Sequence, residues 1–268
     1  MIPAAFEYSR ATSVADAVAQ LRAAGPESKV IAGGQSLLPM MRLRLAQPGH
    51  LVDLNGLRDL DFVMVKDGFV RIGAMTRHAT LVRSEEVRAN LPLLTEIASE
   101  VGDPQVRTRG TIGGVMAHAD AAGDYPTLAL MLDAEIVTDR RRIPARDFFQ
   151  HLFTTALEPD ELIVEIDFPV AKGAHRYLKF RRRLFDWAIV AVGVQSTEDG
   201  WRVGITHAGP TAVRAHAVEE ALRSGAEPTQ AAERATDGLH PTTDVHASSD
   251  FRLHLAQVLT RRALEQAA

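Results

Sequence analysis

Lys29-Val30-Ile31-Ala32-Gly33-Gly34-Gln35-Ser36-Leu37-Leu38-Pro39 is the stretch on which the fold turns. Its first four residues form a short β-rich run, the glycine pair breaks it, and Pro39 can open a brief helix that ends before Pro48. The unit is strand, glycine turn, helix. Upstream, Ser13 can cap a helix in which Val14, Val18 and Leu21 share one face and Gly25-Pro26 stops the run. Downstream, His50 to Leu54 reads as a second strand, and Phe62 to Val65 and Phe69 to Ile72 flank Lys66-Asp67-Gly68 as a hairpin. Leu91 to Val101 returns to a helical period, and Thr111-Ile112-Gly113-Gly114 carries a second glycine break.

The two glycine pairs are the chemical signal. No Walker A sequence occurs and no G-x-G-x-x-G follows a strand, so the standard P-loop and Rossmann dinucleotide sites are excluded. Glycine permits φ > 0 and close backbone approach, and consecutive N–H groups in such turns can converge on an anion. Two such nests facing each other would suit a pyrophosphate, with Ser36 and Thr111 adding hydroxyl donors. The alternative is that both pairs are ordinary turns.

Composition narrows the chemistry further. The 268 residues suggest one large domain or two ordinary ones, and 46% hydrophobic with 24% charged residues is the balance of a folded globular chain. A net charge of −4 offers no field for a nucleic acid backbone, so no nucleic acid partner is expected. The absence of cysteine excludes disulfides, thiolate metal sites and iron–sulfur clusters on this chain, so redox chemistry here would need a bound cofactor. The longest apolar stretches, such as Ile189 to Val194, fall far short of the ~20 residues of a membrane span. Met1 to Glu7 shows no basic segment followed by an apolar one, and a cytoplasmic location is expected. Pro169-Val170-Ala171-Lys172-Gly173 reads as a linker. Beyond it Tyr177 to Phe180, Ala188 to Gln195 and Arg202 to Ala208 are strand-like and the remainder is helical.

The residues around both glycine pairs carry a family resemblance. Ile31-Ala32-Gly33-Gly34-Gln35-Ser36-Leu37-Leu38-Pro39-Met40-Met41 resembles the first FAD-binding loop of the flavoprotein (medium) subunits of molybdenum hydroxylases, the carbon monoxide dehydrogenase and xanthine dehydrogenase family. Gln105-Val106-Arg107-Thr108-Arg109-Gly110-Thr111-Ile112-Gly113-Gly114, continuing to Ala117-His118-Ala119-Asp120 and Gly123-Asp124-Tyr125-Pro126, resembles the second. Leu157 to Ile163, Lys179 to Arg183, Asp186-Trp187-Ala188 and Asp244 to Ser248 extend the similarity over essentially the whole chain.

The resemblance implies an α+β protein. A vanillyl-alcohol-oxidase-type (PCMH) FAD-binding region of two α/β subdomains, residues 1–55 and 56–170, would precede a C-terminal α+β domain, residues 174–268, with an antiparallel three-stranded sheet and helices. It further implies a large subunit carrying the molybdenum cofactor and a small subunit carrying [2Fe–2S] clusters, assembled as a dimer of heterotrimers. This chain would be the electron outlet toward an external acceptor, with no membrane span. The FAD is expected to be noncovalent, because the implied pocket relies on nests and hydrogen bonds and no cysteine is available for a thioether link, a histidine link being the chemical alternative. Two other readings are an autonomous FAD-dependent oxidase or reductase acting on an organic substrate, and a scaffold subunit that has lost its flavin.

The cofactor-binding set implied by the resemblance is Ala32, Gly33, Gly34, Gln35, Ser36 and Leu37 in the first loop, Thr111, Ile112, Gly113 and Gly114 in the second, and His118, Asp124, Ile163 and Lys179 around the flavin. No catalytic residue and no metal ligand are expected on this chain. Asp124 would accept a hydrogen bond from a flavin-side or ribose hydroxyl, or instead cap the Thr127 to Leu132 helix. Lys179 would place a cation near the isoalloxazine and raise its reduction potential, or instead be a solvated surface lysine. Ile163 would pack on the ring or simply in the core, and His118 would hydrogen-bond the cofactor. Arg140 to Arg142 and Arg181 to Arg183 read as solvated turns that could attract phosphates or an acidic partner. His240, Asp244 and His246 could in principle ligate a metal, but the stretch reads as a loop before a helix over 251–266 capped by Ser248 or Ser249.

Overall fold

The strand, glycine turn and helix around Gly33-Gly34 belong to a three-stranded parallel sheet. A computed structural model describes residues 2–267. Its first strands and helices are β1 (Glu7–Arg10), α1 (Val14–Ala24), β2 (Ser28–Ile31), α2 (Leu37–Arg42) and β3 (His50–Asp53), with sheet order β1-β3-β2. The Ser13 hydroxyl accepts from the Asp16 N–H at 3.0 Å, the capping that the sequence predicts. Ala17, Val18 and Leu21 of α1 then pack against Val52 and Leu54 in a small core of this subdomain. Because the strands are parallel, the loops that leave the C-terminal ends of β2 and β3 lie side by side, where open parallel sheets place ligands.

The second subdomain is built on β4 (Val63–Lys66), β5 (Phe69–Gly73), helices α3 (His78–Arg83), α4 (Glu85–Asn90), α5 (Pro92–Glu100), α6 (Pro104–Arg109), α7 (Ile112–His118) and α8 (Asp124–Met131), then β6 (Glu135–Thr138), β7 (Arg142–Pro144), α9 (Ala145–Phe148), β8 (Phe149–His151), β9 (Thr154–Thr155) and β10 (Ile163–Pro169). Its five-stranded antiparallel sheet runs β4-β5-β10-β6-β7. Period-2 alternation puts Val70, Ile72, Ile136, Ile166 and Phe168 in the main core with Leu94, Ile97, Met116 and Leu128 of the helices. Arg71, Glu135, Arg142 and Asp167 occupy the alternate positions and form ion pairs.

The C-terminal sheet comprises β11 (His175–Phe180), β12 (Val190–Thr197), β13 (Gly200–Thr206) and β14 (Val213–Arg214) in that order. It is antiparallel as expected, but a fourth, two-residue strand pairs with β13 at the edge and corrects the three-stranded expectation. The helices α10 (His216–Arg223), α11 (Pro228–Ala232) and α12 (Ser249–Gln266) follow, with Ser248 as the α12 cap through the Phe251 N–H. Both faces of β12 are covered. Val190, Val192 and Val194 pack with Leu255, Ala256 and Leu259 of α12, whereas Ala191 joins the main core. On that second face a Cβ at Gly204 would sit 2.6 Å from the Thr127 side chain, and one at Gly193 would sit 3.2 Å from the Met131 sulfur. These two glycines let α8 lie directly on the C-terminal sheet. The 169–173 segment is likewise tied down, with Ala171 buried and its N–H donating to the Asn90 carbonyl at 3.0 Å.

Candidate cofactor site

The two glycine loops touch. A Cβ on Gly33 would lie 2.5 Å from the Arg109 carbonyl oxygen and 2.7 Å from the Gly110 Cα, so only glycine allows the first subdomain to approach the second here. Of the four paired glycines only Gly34 has a positive φ, +73°. Gly113 and Gly114 are not a break, because α7 begins at Ile112, with Thr111 as its cap, and runs through both. Gly113 is required by packing, since its Cβ would meet the Ala74 Cβ at 2.6 Å and the Ala74 carbonyl oxygen at 2.7 Å.

The loops also differ in their free donors, which corrects the expectation of two facing nests. Among the described residues, no acceptor takes the backbone N–H of Gly33, Gly34, Gln35, Ser36 or Leu37, and the Ser36 hydroxyl caps nothing. In the second loop the Ile112 N–H donates to the Thr76 carbonyl at 3.1 Å, the Gly113 N–H to the Ala74 carbonyl at 3.0 Å and the Gly114 N–H to the Thr111 hydroxyl at 3.2 Å. The first loop presents a run of donors that the protein leaves untaken, buried at Gly33 and open at Gln35, and such a run can converge on an anion. The second is a wall fastened to the sheet behind it.

Three residues that the sequence reading missed join the loops. Asn55 follows β3 and donates from Nδ2 to the Ala32 carbonyl at 2.8 Å and to Asp53 Oδ1 at 2.6 Å. Its Oδ1 accepts from Arg77 at 2.6 Å, and Arg77 also donates to the Arg109 carbonyl. Burial alone would raise the Asp53 carboxyl, but hydrogen bonds from Tyr8 and Asn55 outweigh it and hold the group below the ordinary carboxylate range. Behind the second loop, His78 lies so close to Gly110 that a Cβ there would meet its Nε2 at 2.5 Å. His78 Nδ1 pairs with the Tyr125 hydroxyl at 3.1 Å, and burial with the nearby Arg77 and Arg107 cations pushes its pKa down to about 3. The one available sequence signal was position. Asn55 stands just past the carboxyl end of a parallel strand, where polar side chains face ligands.

Asp124 and Lys179 come together across the seam with the C-terminal domain. Gly123 is the cap of α8 and Asp124 its first residue, with no capping bond from its side chain. Asp124 Oδ1 accepts from the Tyr177 hydroxyl at 2.5 Å and Oδ2 from Lys179 Nζ at 2.8 Å. The hydroxyl on Asp124 is therefore that of a tyrosine from the C-terminal sheet. The Lys179 side chain is 3% exposed and also donates to the Glu100 carbonyl at 3.1 Å, which rules out a solvated surface lysine. Burial raises the Asp124 carboxyl, opposed by the Lys179 ammonium and the Tyr177 hydroxyl. Tyr125, the next residue, connects this pair back to His78 and the second loop.

The remaining candidates are placed as follows. Ile163 is buried at the start of β10 in the main core. His118 ends α7, stacks on Phe153 with centroids 4.9 Å apart, and has its pKa lowered by burial. Arg140, Arg141 and Arg142 are not a free solvated turn, because they pair with Asp160, Glu161 and Asp167. Arg181 pairs with Glu100. Asp244 is engaged by the His246 and Ala247 N–H groups and by the buried Arg252.

Comparison with known proteins accords with this geometry. Residues 4–171 match the family described as the FAD binding domain in molybdopterin dehydrogenase, and residues 175–267 match the CO dehydrogenase flavoprotein C-terminal domain. The chain is 39% identical to the carbon monoxide dehydrogenase medium chain of Hydrogenophaga pseudoflava, over 100% of this chain and 98% of that one. It is 37% identical to the 6-hydroxypseudooxynicotine dehydrogenase complex subunit alpha of Paenarthrobacter nicotinovorans, over 100% and 96%. In structure it superposes with a TM-score of 0.96, at 41% identity and covering 100% of this chain and 98% of the other, on a chain of the Hydrogenophaga pseudoflava carbon monoxide dehydrogenase that lacks the Mo-pyranopterin moiety of the molybdenum cofactor. Among the described residues no helix is long and apolar enough to cross a membrane.

Proposed function

Because the chain belongs to the FAD-binding medium subunits of the molybdenum hydroxylases, we propose that it is the electron-transfer subunit of such an enzyme, taking electrons from a [2Fe–2S] partner subunit and passing them to an external acceptor. The observation that carries this reading is the run of unsatisfied N–H donors from Gly33 to Leu37 opposite a rigid second loop, which fits a dinucleotide's pyrophosphate. FAD, when bound, accepts electrons singly and releases them in pairs. This chain's residues do the rest. Gly33 to Leu37 bind with Ala32 behind them, Thr111 and the first turn of α7 close the opposite side, and the Asp124–Lys179 pair presents a fixed dipole at the seam with the C-terminal sheet. The family resemblance also assigns His118, at the end of α7, and Ile163, packed in the main core, to the flavin side.

The binding is noncovalent in this reading, since the loops contribute donors and no thiol exists to form a link. A large subunit with the molybdenum cofactor carries out hydroxylation, a small subunit with the iron–sulfur clusters feeds this chain, and the whole is a cytoplasmic dimer of heterotrimers. The test is purification of the chain from its native host with whatever accompanies it. A stoichiometric flavin released by acid, bleached when the reducing substrate of the large chain is added, is the expected result. A flavin bleached equally fast by the isolated chain with an organic substrate would instead make it an autonomous dehydrogenase.

A further inference from the structure

We propose that Arg77 is a phosphate-binding residue of the flavin site, its guanidinium supplying, at the junction of the two loops, positive charge for the FAD pyrophosphate that the loops' backbone N–H groups do not provide. The inference rests on the flavin reading above. It starts from a shortfall in donors. A pyrophosphate brings two negative charges, and the second loop, expected to hold one of them, has the N–H groups of Ile112, Gly113 and Gly114 committed to the Thr76 and Ala74 carbonyls and the Thr111 hydroxyl. Among the described residues the Thr111 N–H is the one donor of Thr111 to Gly114 without an acceptor, against five in the first loop, and all of these N–H groups are neutral.

Arg77 stands at the junction of the two loops. One of its nitrogens donates to the Arg109 carbonyl, the oxygen that a Gly33 Cβ would approach to 2.5 Å, and another donates to Asn55, which itself donates to the Ala32 carbonyl at 2.8 Å. Both partners are neutral. Among the other half-buried arginines, Arg71, Arg181 and Arg214 each reach a carboxylate within hydrogen-bond distance, whereas Arg107 is spent on the Ser99, Val101 and Gly102 carbonyls behind the second loop. Among the described residues, no carboxylate ion-pairs with Arg77, whose closest charged surroundings are the cations of Arg109 and Arg58 and the carboxylates of Asp61 and Asp53. Asp53 is already occupied by the Tyr8 hydroxyl and by Asn55. A half-buried guanidinium with unused N–H groups and cationic neighbours is poised for an anion, and its planar fork suits phosphate oxygens. Asn55 fixes its orientation before the ligand arrives.

The test is FAD titration of the full chain, freed of flavin, for wild type, Arg77→Gln and Arg77→Lys, followed by protein and flavin fluorescence at several salt concentrations. Arg77→Gln keeps a hydrogen-bonding head but removes the charge, and is expected to raise the dissociation constant about tenfold or more and to flatten its dependence on salt. Arg77→Lys keeps the charge without the fork, and should weaken binding less while retaining the salt dependence. A residue that only clamps the loops would leave the salt dependence of Arg77→Gln equal to that of wild type, and that outcome overturns the proposal. So does an Arg77→Gln dissociation constant within twofold of wild type, which leaves the flavin reading standing. Failure of wild type itself to bind FAD overturns both. Circular dichroism of each variant shows that the compared proteins are folded, and if Arg77→Gln does not fold, a salt dependence of Arg77→Lys indistinguishable from zero is the overturning result.

Discussion

Gly33-Gly34 and Gly113-Gly114 are written alike and work differently. The first pair ends a parallel strand, uses one positive φ, and leaves five consecutive N–H groups without acceptors among the described residues. The second pair lies within a helix whose first two N–H groups are consumed by the adjoining β5–α3 segment, and Gly113 is there so that α7 can touch Ala74, while Gly114 leaves room for the Thr111 hydroxyl that caps the helix. A glycine pair in sequence thus specifies closeness of backbone to something. Whether that something is a ligand or another part of the chain depends on which donors the fold has already used.

The largest effect that would test this contrast is on folding. Gly113→Val places a branched side chain against the Ala74 backbone inside the main core, and overpacking with no room to shift is expected to cost more than about 3 kcal/mol. Denaturant unfolding of the flavin-free chain measures it, and a variant as stable as wild type that merely lost FAD would return the second pair to the role of a nest. Next comes Gly33→Val. Its side chain collides with Arg109 and Gly110 at the cleft between subdomains, so FAD affinity should fall about a hundredfold, ~2.7 kcal/mol, with a smaller loss of stability than Gly113→Val. Equal flavin content in the folded variant would show that the first pair is only a turn.

A third effect concerns the support of the second loop. His78 is buried neutral beneath Gly110 with its pKa lowered to about 3, so the unfolded chain binds this proton more readily than the folded one. Stability is therefore undiminished above about pH 6.5 and falls continuously as the pH drops toward 3, by about 2 kcal/mol between pH 7 and pH 5 from this group. His78→Gln keeps a partner for Tyr125 and should flatten that part of the pH profile of unfolding. An identical slope in the variant would mean that His78 takes up its proton without disturbing the loop.

The smallest expected effect lies where α8 leaves the second loop for the C-terminal sheet. A lone cation at Lys179 would make Lys179→Met lower the flavin midpoint potential substantially. With Asp124 at 2.8 Å and nearly inaccessible to solvent, the variant should leave a carboxyl that takes up a proton, so the net charge of the site is unchanged. A shift below about 30 mV, ~1.4 kcal/mol for two electrons, is expected from redox titration of wild type and variant. A drop several times larger would show that the ammonium acts on the flavin as an unpaired charge.

The succession α1, β2, α2, β3, the hairpin that follows it, the change of character near residue 170 and the two glycine pairs were legible in the sequence because each rests on local chemistry. The turn at Lys66-Asp67-Gly68 made the β4–β5 hairpin readable, the apolar run from Ala188 made β12 readable, Ser13 and Ser248 announced their helices, and the loop sequences around Gly33 and Gly113 identified the flavoprotein family. What local chemistry could not decide is which group each polar atom would meet. Asn55, Arg77 and His78 are unremarkable in sequence and become the brace of the cleft only when β3 and the β5–α3 connection are brought against both loops. Asp124 and Lys179 are 55 residues apart and neutralise one another only because α8 and the C-terminal sheet share a face lined by Gly193 and Gly204. Hydrogen bonds and ion pairs depend on distances of a few tenths of an ångström between segments far apart in the chain, and those distances are set by packing, which belongs to the tertiary structure alone.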